Sequence, residues 1–307
     1  MQILITGATG FIGTTLLKSL STHQLVLLTR DRAKTKQKLA HIDHGNIRYI
    51  GELEELADLN EFDAVINLAG EPIADKRWTQ KQKERICYSR WVTTEKLVAL
   101  CNASSTPPNV FISGSAVGYY GDQKHTECDE DQVVDIDTFP HRVCAQWENI
   151  ALGAQSQHTR VCLLRTGVVL APHGGALKKM LLPYQLGLGG PIAQGEQFMA
   201  WIHMQDMVQA IMYLLEHPKA QGPFNLCAPH PVTNREFSKT LAQTLSRPHV
   251  LFTPKWLIRL LMGESADLLC DSTCAKPKRL TEIGFQFTYP RLKPALKQLL
   301  LTHNHDK

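Results

Sequence analysis

The stretch MQILITGATGFIGTTLL, at the start of the chain, limits more than any other what the rest can fold into. Residues 3–6 are a short β-branched apolar run, and from Phe11 onward the apolar residues recur with helical spacing. Gly7, Gly10 and Gly13 stand at the junction. In a strand-to-helix turn, one glycine permits the tight backbone and a second lets a pyrophosphate approach the main chain. A third lets the helix pack closely. The helix start then offers unpaired N–H groups and the positive end of its dipole to the anion. Thr6, Thr9, Phe11 and Ile12 are placed to wall the turn. The first expectation is a dinucleotide cofactor held by Gly7, Thr9, Gly10, Phe11, Ile12 and Gly13.

The end of the second strand candidate, LVLLT at 25–29, bears on which dinucleotide it is. A site for NAD places an acid there, hydrogen-bonded to the adenosine ribose hydroxyls. This chain has Thr29, then Arg30, with Arg32 two residues on. A guanidinium suits a 2′-phosphate, because its forked donors make charge-assisted hydrogen bonds. Asp31 either turns inward or pairs with an arginine. The expectation is NADP(H) in preference to NAD(H), read by Thr29, Arg30 and Arg32.

Further apolar runs at 47–50, 64–69, 110–113, 161–165 and 223–226 alternate with helical patterns at 79–103 and 144–154. Continuous apolar strands separated by helices predict a parallel sheet covered on both faces. With right-handed crossovers this is an α/β fold, a Rossmann-like doubly wound sheet. After Thr166 glycines and prolines become frequent, which reads as loops around one short helix. From about residue 230 the pattern gives three helices and a hairpin-like edge at 247–253. The expected division is a dinucleotide-binding domain, residues 1–165 plus 197–228, and a smaller α/β substrate lobe, residues 166–196 plus 229–307. Substrate would lie in the crevice between them. Residues 302–307 read as a frayed tail.

Composition narrows the functional classes. At 43% apolar and 20% charged residues the chain is an ordinary globular protein. A net charge of +4, scattered along the sequence, gives no reason to expect a nucleic acid or a membrane as partner. No uncharged apolar run reaches the ~18 residues of a membrane span. Strand pattern from Gln2 leaves no room for a targeting peptide, so a cytoplasmic location is expected. The 8 cysteines include no CxxC pair, and Cys270 and Cys274, spaced like one helical turn, have no neighbouring histidine. They read as free thiols in a reducing compartment, and no metal site is expected.

TGATGFIG, NLAG at 67–70, SGSAVGYYG at 113–121, LRTGVVL at 164–170 and WIHMQDMVQAI at 201–211 follow one another as in an extended short-chain dehydrogenase/reductase. GEPI…RW, SRWVTTEKL, WENIA, GGALKKML, GLGGPIAQGEQFMAWIH and the ending GFQFTYPRLKPAL resemble, more narrowly, the "epimerase family" branch of that group. Its members are labelled nucleoside-diphosphate-sugar epimerases or cell-division inhibitor homologues, and the resemblance runs from residue 1 to about 300. It implies that Leu68, Ala69 and Gly70 line the adenosine side. It also implies that Ser113, Gly114 and Ser115 approach the nicotinamide, and that Gly167 and Val168 flank its amide. Glu52 stands where relatives often have an aspartate touching adenine.

An active dehydrogenase of this group needs a proton donor or acceptor beside the carbinol carbon, usually a Tyr-x-x-x-Lys pair on a helix. Its lysine draws down a tyrosine pKa of ~10, and a serine orients the substrate oxygen. Counting back from Glu148, the lysine's place holds Cys144 and the tyrosine's place Pro140, with His141 one residue off. Ser115 remains, and Tyr119 or Tyr120 is the candidate substitute acid or a ring packed at the strand end. His141 is a second acid–base candidate or a loop histidine. Cys144, without a flanking cation, reads as inert core. Trp201 would wall the substrate side. His203 and Asp206, three apart, either meet substrate or brace its loop. Arg165 and Arg90 are candidate anion contacts, Arg165 alternatively pairing with a buried acid. Trp78 and Trp147 read as packing anchors. Two functional readings stand: an NADP(H)-dependent oxidoreductase or epimerase on a carbonyl or nucleotide-sugar-like small molecule, and a non-catalytic NADP(H)-responsive interaction protein. A monomer or a homodimer through the 79–103 helix fits either.

Overall fold

In the computed structural model, which describes residues 1–43 and 45–301, seven strands form one sheet. They are β1 (Gln2–Thr6), β2 (Gln24–Leu28), β3 (Ile47–Ile50), β4 (Ala64–Asn67), β5 (Val110–Ala116), β6 (Arg160–Thr166) and β7 (Gly222–Leu226). All pair in parallel, in the order β7-β6-β5-β4-β1-β2-β3. The order reverses between β1 and β4, and in open α/β sheets such a switch point, outside the carboxyl ends of the strands, is where ligands bind.

Side chains alternate across each strand, so the apolar runs serve two cores at once. Ile3 and Ile5 join Leu16 and Leu17 of helix α1 (Phe11–Ser19) and Met207, Ile211 and Leu214 of a later helix on one face. Leu4, Val65 and Phe111 meet Leu97 and Cys101 of α3 and Ala151 of α4 on the other. Between α1 and these lies α2 (Arg32–Leu39); α3 spans Gln80–Ala103 and α4 Phe139–Leu152. Thr79 and Thr138 cap α3 and α4 by accepting from the Gln82 and His141 amides, and Pro140 sits in the first turn of α4, where its missing N–H costs nothing.

The second part of the chain adds α5 (Gly175–Gln185), α6 (Met204–Glu216), α7 (Asn234–Thr244), α8 (Lys255–Met262) and a C-terminal helix, Leu292–Leu301. A separate apolar cluster gathers Leu177, Tyr184, Trp201, Phe237, Leu241 and Leu296. Two short pairings complete it, Val168–Leu170 parallel to Trp201–His203 and Phe198–Met199 antiparallel to Val232–Thr233.

Two local expectations need correction. Residues 247–253 form no hairpin: Pro248 cannot donate to a ladder, and the segment is held instead by Thr253 bonding Pro191 and Ala193 through the backbone. Cys270 ends a four-residue helix while Cys274 begins a short strand, so the two share no helix face. The tail expected at 302–307 lies outside the described residues. Among the described residues, no helix is long and apolar enough to cross a membrane.

Asp206, fully buried in the first turn of α6, accepts the backbone amides of Thr288 (2.8 Å) and Tyr289 (2.9 Å). It ties the approach to the C-terminal helix onto the sheet domain. Replacing Asp206 with alanine strands two amides without an acceptor and should lower stability by about 2–4 kcal/mol. A melting temperature equal to that of the unaltered protein would show that the clamp contributes nothing.

Candidate functional site

At the β1–α1 junction Gly7 has a positive φ of +72°, a conformation glycine enters without strain. A Cβ there would stand 2.5 Å from the Leu68 carbonyl oxygen, and one at Gly13 would stand 2.4 Å from the Gly7 oxygen. The turn therefore lies pressed against the end of β4 and under its own helix. The Gly10 amide bonds the Gly7 carbonyl (3.0 Å), and the first helical bond runs from Thr14 to Gly10 (3.0 Å). Ahead of it the amides of Phe11 and Ile12 point out of the helix end, and no side chain caps them. By contrast α2, α3, α4, α6 and α7 are each capped by a side chain. Gly10 is exposed, and a Cβ there would meet the Gly7 carbonyl oxygen at 3.0 Å, so the absence of a side chain leaves the outer side of the turn free for a diphosphate to approach. Lys38 of α2 reaches over and donates to the Thr9 carbonyl (2.9 Å), bringing a cation to the turn's rim. Phe11 packs its ring on Gly174 and Gly175, where Cβ atoms would come within 2.5 and 2.7 Å. The later part of the chain thus reaches the turn itself.

At the end of β2, Asp31 is not available to ribose hydroxyls, because its carboxylate caps α2 by accepting the Lys34 amide (2.9 Å). Thr29 Oγ1 shares a 2.6 Å hydrogen bond with Thr35. Arg30 is exposed, with no ion pair among the described residues. Arg32 differs from expectation: its guanidinium is paired with Glu55, which also accepts the amides of Gly51 (2.7 Å) and Glu52 (3.0 Å). Arg30 and Lys38 are two cations at this end that make no ion pair among the described residues, and Lys38 had no signal in a helix as polar as α2.

Around β4 and β5 a chain of hydrogen bonds fixes the crevice floor. Thr6 Oγ1 donates to Asn67 Oδ1 (2.7 Å), Asn67 Nδ2 donates to Thr94 Oγ1 (2.8 Å), and Trp147 Nε1 donates to the same hydroxyl (2.9 Å). The Ala69 amide turns back onto Thr6 Oγ1 (3.1 Å). Ser113 is fully buried beside Asn67, so only its backbone is near the crevice. Gly114 lies under Trp147, whose ring would be 2.6 Å from a Cβ there. Gly167 packs on the Ala200 carbonyl at 2.7 Å by the same measure, and the Val168 amide donates to that carbonyl (2.7 Å).

Ser115 is where the proton chemistry can be read most closely. Its hydroxyl donates to Glu148 Oε1 (2.6 Å), and Arg165 grips the same carboxylate with Nε and Nη2, both at 2.9 Å. Arg165 Nη1 also donates to the Tyr120 hydroxyl (3.0 Å), which lies 2.9 Å from Asn225 Oδ1. Glu148 and Arg165 are buried, at 6% and 4% exposure, and meet in the forked geometry of a carboxylate–guanidinium ion pair. Ser115 then directs its single proton inward and presents only lone pairs.

This geometry corrects several expectations. Of the two roles open to Arg165, an anion contact or a buried acid's partner, the geometry shows the second, as the counter-ion of Glu148. Tyr120 is fully buried, its hydroxyl held by Arg165, the Asp129 carbonyl and Asn225, so it is closed off from a substrate, and burial raises its phenol above the ordinary tyrosine range. Trp201 is fully buried within the C-terminal core, not on a crevice wall. His203 caps α6 by accepting the Gln205 amide on Nδ1 (3.0 Å), which puts its proton on Nε2 facing Gln298 (2.9 Å). With Tyr289 stacked 4.0 Å away and burial lowering its pKa, His203 braces the fold as a neutral ring. Tyr119 is half-buried, its ring lying 3.5 Å from the Arg165 guanidinium carbon. Its carbonyl takes His141 Nδ1 at 2.6 Å, which leaves His141 Nε2 as the basic nitrogen. Pro140 and Cys144 pack against Gly118. Burial lifts the Cys144 thiol to about 11, so it stays neutral. Arg90 is half-buried against Gly70, with Cζ 2.9 Å from where a Cβ would be. Among the described residues, no group of three or more His, Cys, Asp or Glu side chains could hold a metal ion.

The NAD dependent epimerase/dehydratase family matches residues 3–227. The chain belongs to that family. Within it this is an atypical extended short-chain dehydrogenase/reductase, and residues 253–299 match a domain of unknown function, DUF1731. An epimerase family protein of Staphylococcus haemolyticus is 36% identical over 303 residues, covering 97% of this chain and 99% of its own. Human epimerase family protein SDR39U1 (isoform 2), solved with NADPH, is 32% identical with a TM-score of 0.88, covering 97% of this chain and 99% of its own. A UDP-glucuronic acid 4-epimerase of Bacillus cereus, solved with UDP-glucuronic acid and NAD, shares the fold alone, at 18% identity and a TM-score of 0.76 over 97% of this chain and 98% of its own.

In this epimerase-family chain the Glu148–Arg165 pair was only half legible. Glu148 sits on the α4 face with Cys144, Trp147 and Ala151, and an acid on so apolar a face requires a cation somewhere. Which arginine supplies it is decided by strand register, Ser115 lying beside Arg165. Glu148→Gln leaves Arg165 buried without its counter-ion and should cost about 3–5 kcal/mol. Urea unfolding measures it; a loss below 1 kcal/mol would mean that the pair is far better solvated than its burial indicates.

Proposed function

We propose that this protein binds NADP(H) across the carboxyl edge of its sheet, with the diphosphate on the Gly7–Gly13 turn and Arg30 at the 2′-phosphate. The observation that carries this is the uncapped, exposed start of α1, pressed onto β4 by glycines that a Cβ could not replace. The human relative's NADPH supports the phosphate-bearing form. Asp31, turned into the α2 cap, removes the acid that an NAD-selective site would use.

Bound there, the cofactor would supply or accept a hydride in the crevice. The protein groups then favour a substrate with a hydroxyl, because Ser115 can accept a hydrogen bond but its own proton is committed to Glu148. A carbinol of a sugar-like or other small molecule fits that polarity. Tyr119 and His141 are the groups left to take or give the proton. A second reading is favoured by specific observations: Pro140 and Cys144 in place of the tyrosine and lysine, and the burial of Tyr120, suit a protein that binds NADP(H) without turning it over. Consumption of NADPH or NADP⁺ across carbonyls, alcohols and nucleotide sugars separates the two, the enzyme reading requiring at least one productive substrate.

Gly10→Asp puts a carboxylate where the diphosphate would lie and should abolish NADPH binding by calorimetry; retained affinity would refute the turn as the anchor. Arg30→Ala should weaken NADPH by about tenfold or more, as for one charge-assisted contact, and NADH hardly at all. Equal losses for both would show that Arg30 does not read the phosphate.

A further inference from the structure

Among the described residues 14 large apolar side chains are exposed, and 9 of them fall in two stretches, 182–188 and 250–261. The second stretch holds most of α8, KWLIRLLM, in which six of eight residues are apolar and none is buried. Trp256, Leu260 and Leu261 are exposed at 66, 63 and 62%. So short a helix is marginal in water, and one so apolar is ordinarily held by burying a face. Here it is held at its end instead. Arg77 donates from Nε to the Leu261 carbonyl (2.9 Å) and from Nη2 to the Leu260 carbonyl, and Lys83 pairs with Glu264 just beyond (2.7 Å).

The two stretches form one face. Past the end of α5, Gly190 presses on the Leu251 carbonyl oxygen, where a Cβ would stand at 1.8 Å. Backbone hydrogen bonds then join Thr253 to Pro191 (2.9 Å) and to Ala193 (2.8 Å). At the opposite end Lys179 of α5 reaches the Ala74 carbonyl (3.2 Å) and Asp75 (2.6 Å), two residues before the Arg77 that holds α8. Helices α5 and α8 thus run between the same two anchor points and lie side by side. A contiguous apolar area left open to water marks a binding surface.

The charge of this face decides its partner. Residues 173–195 and 237–263 hold six lysines and arginines and no aspartate or glutamate, in a chain with 29 acids. Lys179 and Arg259 reach Asp75 and Asp267 outside these segments. Lys178, Lys239, Arg247 and Lys255 make no ion pair among the described residues. A second copy of the chain would set this face against itself, cation against cation. An anionic lipid surface matches both features at once. Its acyl boundary takes leucines, its headgroups take lysine and arginine, and tryptophan suits the boundary between them. The small net charge of the whole chain conceals this separation.

We infer that the α5–α8 face docks the protein peripherally on an anionic bilayer, with Leu182, Trp256 and Leu260 entering the headgroup boundary and Lys178, Arg247 and Lys255 meeting lipid phosphates. Docking of this kind needs no cofactor and stands apart from the NADP(H) reading.

Cosedimentation of the full chain with vesicles tests it, using phosphatidylcholine alone and phosphatidylcholine mixed with an equal part of phosphatidylglycerol. The protein should sediment with the mixed vesicles, release as salt is raised, and leave the neutral vesicles largely free. Trp256→Gln and Leu260→Gln should each lower binding about tenfold, the size of one large apolar side chain kept in water. Lys255→Gln should lower it about fivefold. Val133→Gln, at a side chain 88% exposed outside this face, should bind as the unaltered protein does. All four positions are exposed, and melting curves verify that the variants fold. No sedimentation with the mixed vesicles overturns the inference. So does binding that survives both Trp256→Gln and Leu260→Gln, or a concentration-dependent dimer that Leu260→Gln splits while vesicles stay bare.

Discussion

The contact on which the rest of this architecture depends is that between the first turn and the end of β4. Gly7 can enter the left-handed region and pass within van der Waals range of the Leu68 carbonyl only because it has no side chain. That approach aims the start of α1 at the crevice where strand order reverses. It also sets the distance from the turn to Thr6, Asn67 and Thr94, the hydrogen-bonded floor on which α3 and α4 rest. A larger residue at Gly7 or Gly13 would push the helix off the sheet and move every later group with it.

Upon that frame, α4 has a different chemistry from the usual one in its group. Its glutamate remains, but it is locked by Arg165 and by the Ser115 proton, and the tyrosine and lysine places hold Pro140 and Cys144. A proline in the first turn starts the helix well and a thiol packs well, so both residues suit the fold. The polarity of Ser115 follows from charge: an ionised carboxylate can only accept, and the hydroxyl must point its proton there. Any turnover in this site has to work within that constraint.

How much of this was legible in the sequence varied with the range of the interaction responsible. The glycine turn, the seven strands and the helices were readable because each depends on spacing within about ten residues. The hairpin expected at 247–253 failed because an apolar run containing Pro248 looks β-like until the absence of a donor is counted. Asp31 was ambiguous in sequence, since a cap and a ribose contact both ask for an acid at that place; only the backbone direction at the start of α2 settles it. Trp201 and Tyr120 looked like site residues from their neighbours, yet strand register and packing put both in the interior. Lys38 lies on a helix face whose direction no periodicity in α2 disclosed, because that helix is polar on more than one side. The residues that combine charge across separate elements were the hardest to foresee.

We propose that backbone amides at the start of α1 grip a diphosphate. A crystal structure of the protein grown with NADPH tests it most directly. Diphosphate oxygens are expected within hydrogen-bond distance of the Phe11 and Ile12 amides, with the 2′-phosphate near Arg30. A nucleotide bound elsewhere, or a turn still bare at saturating NADPH, would contradict it.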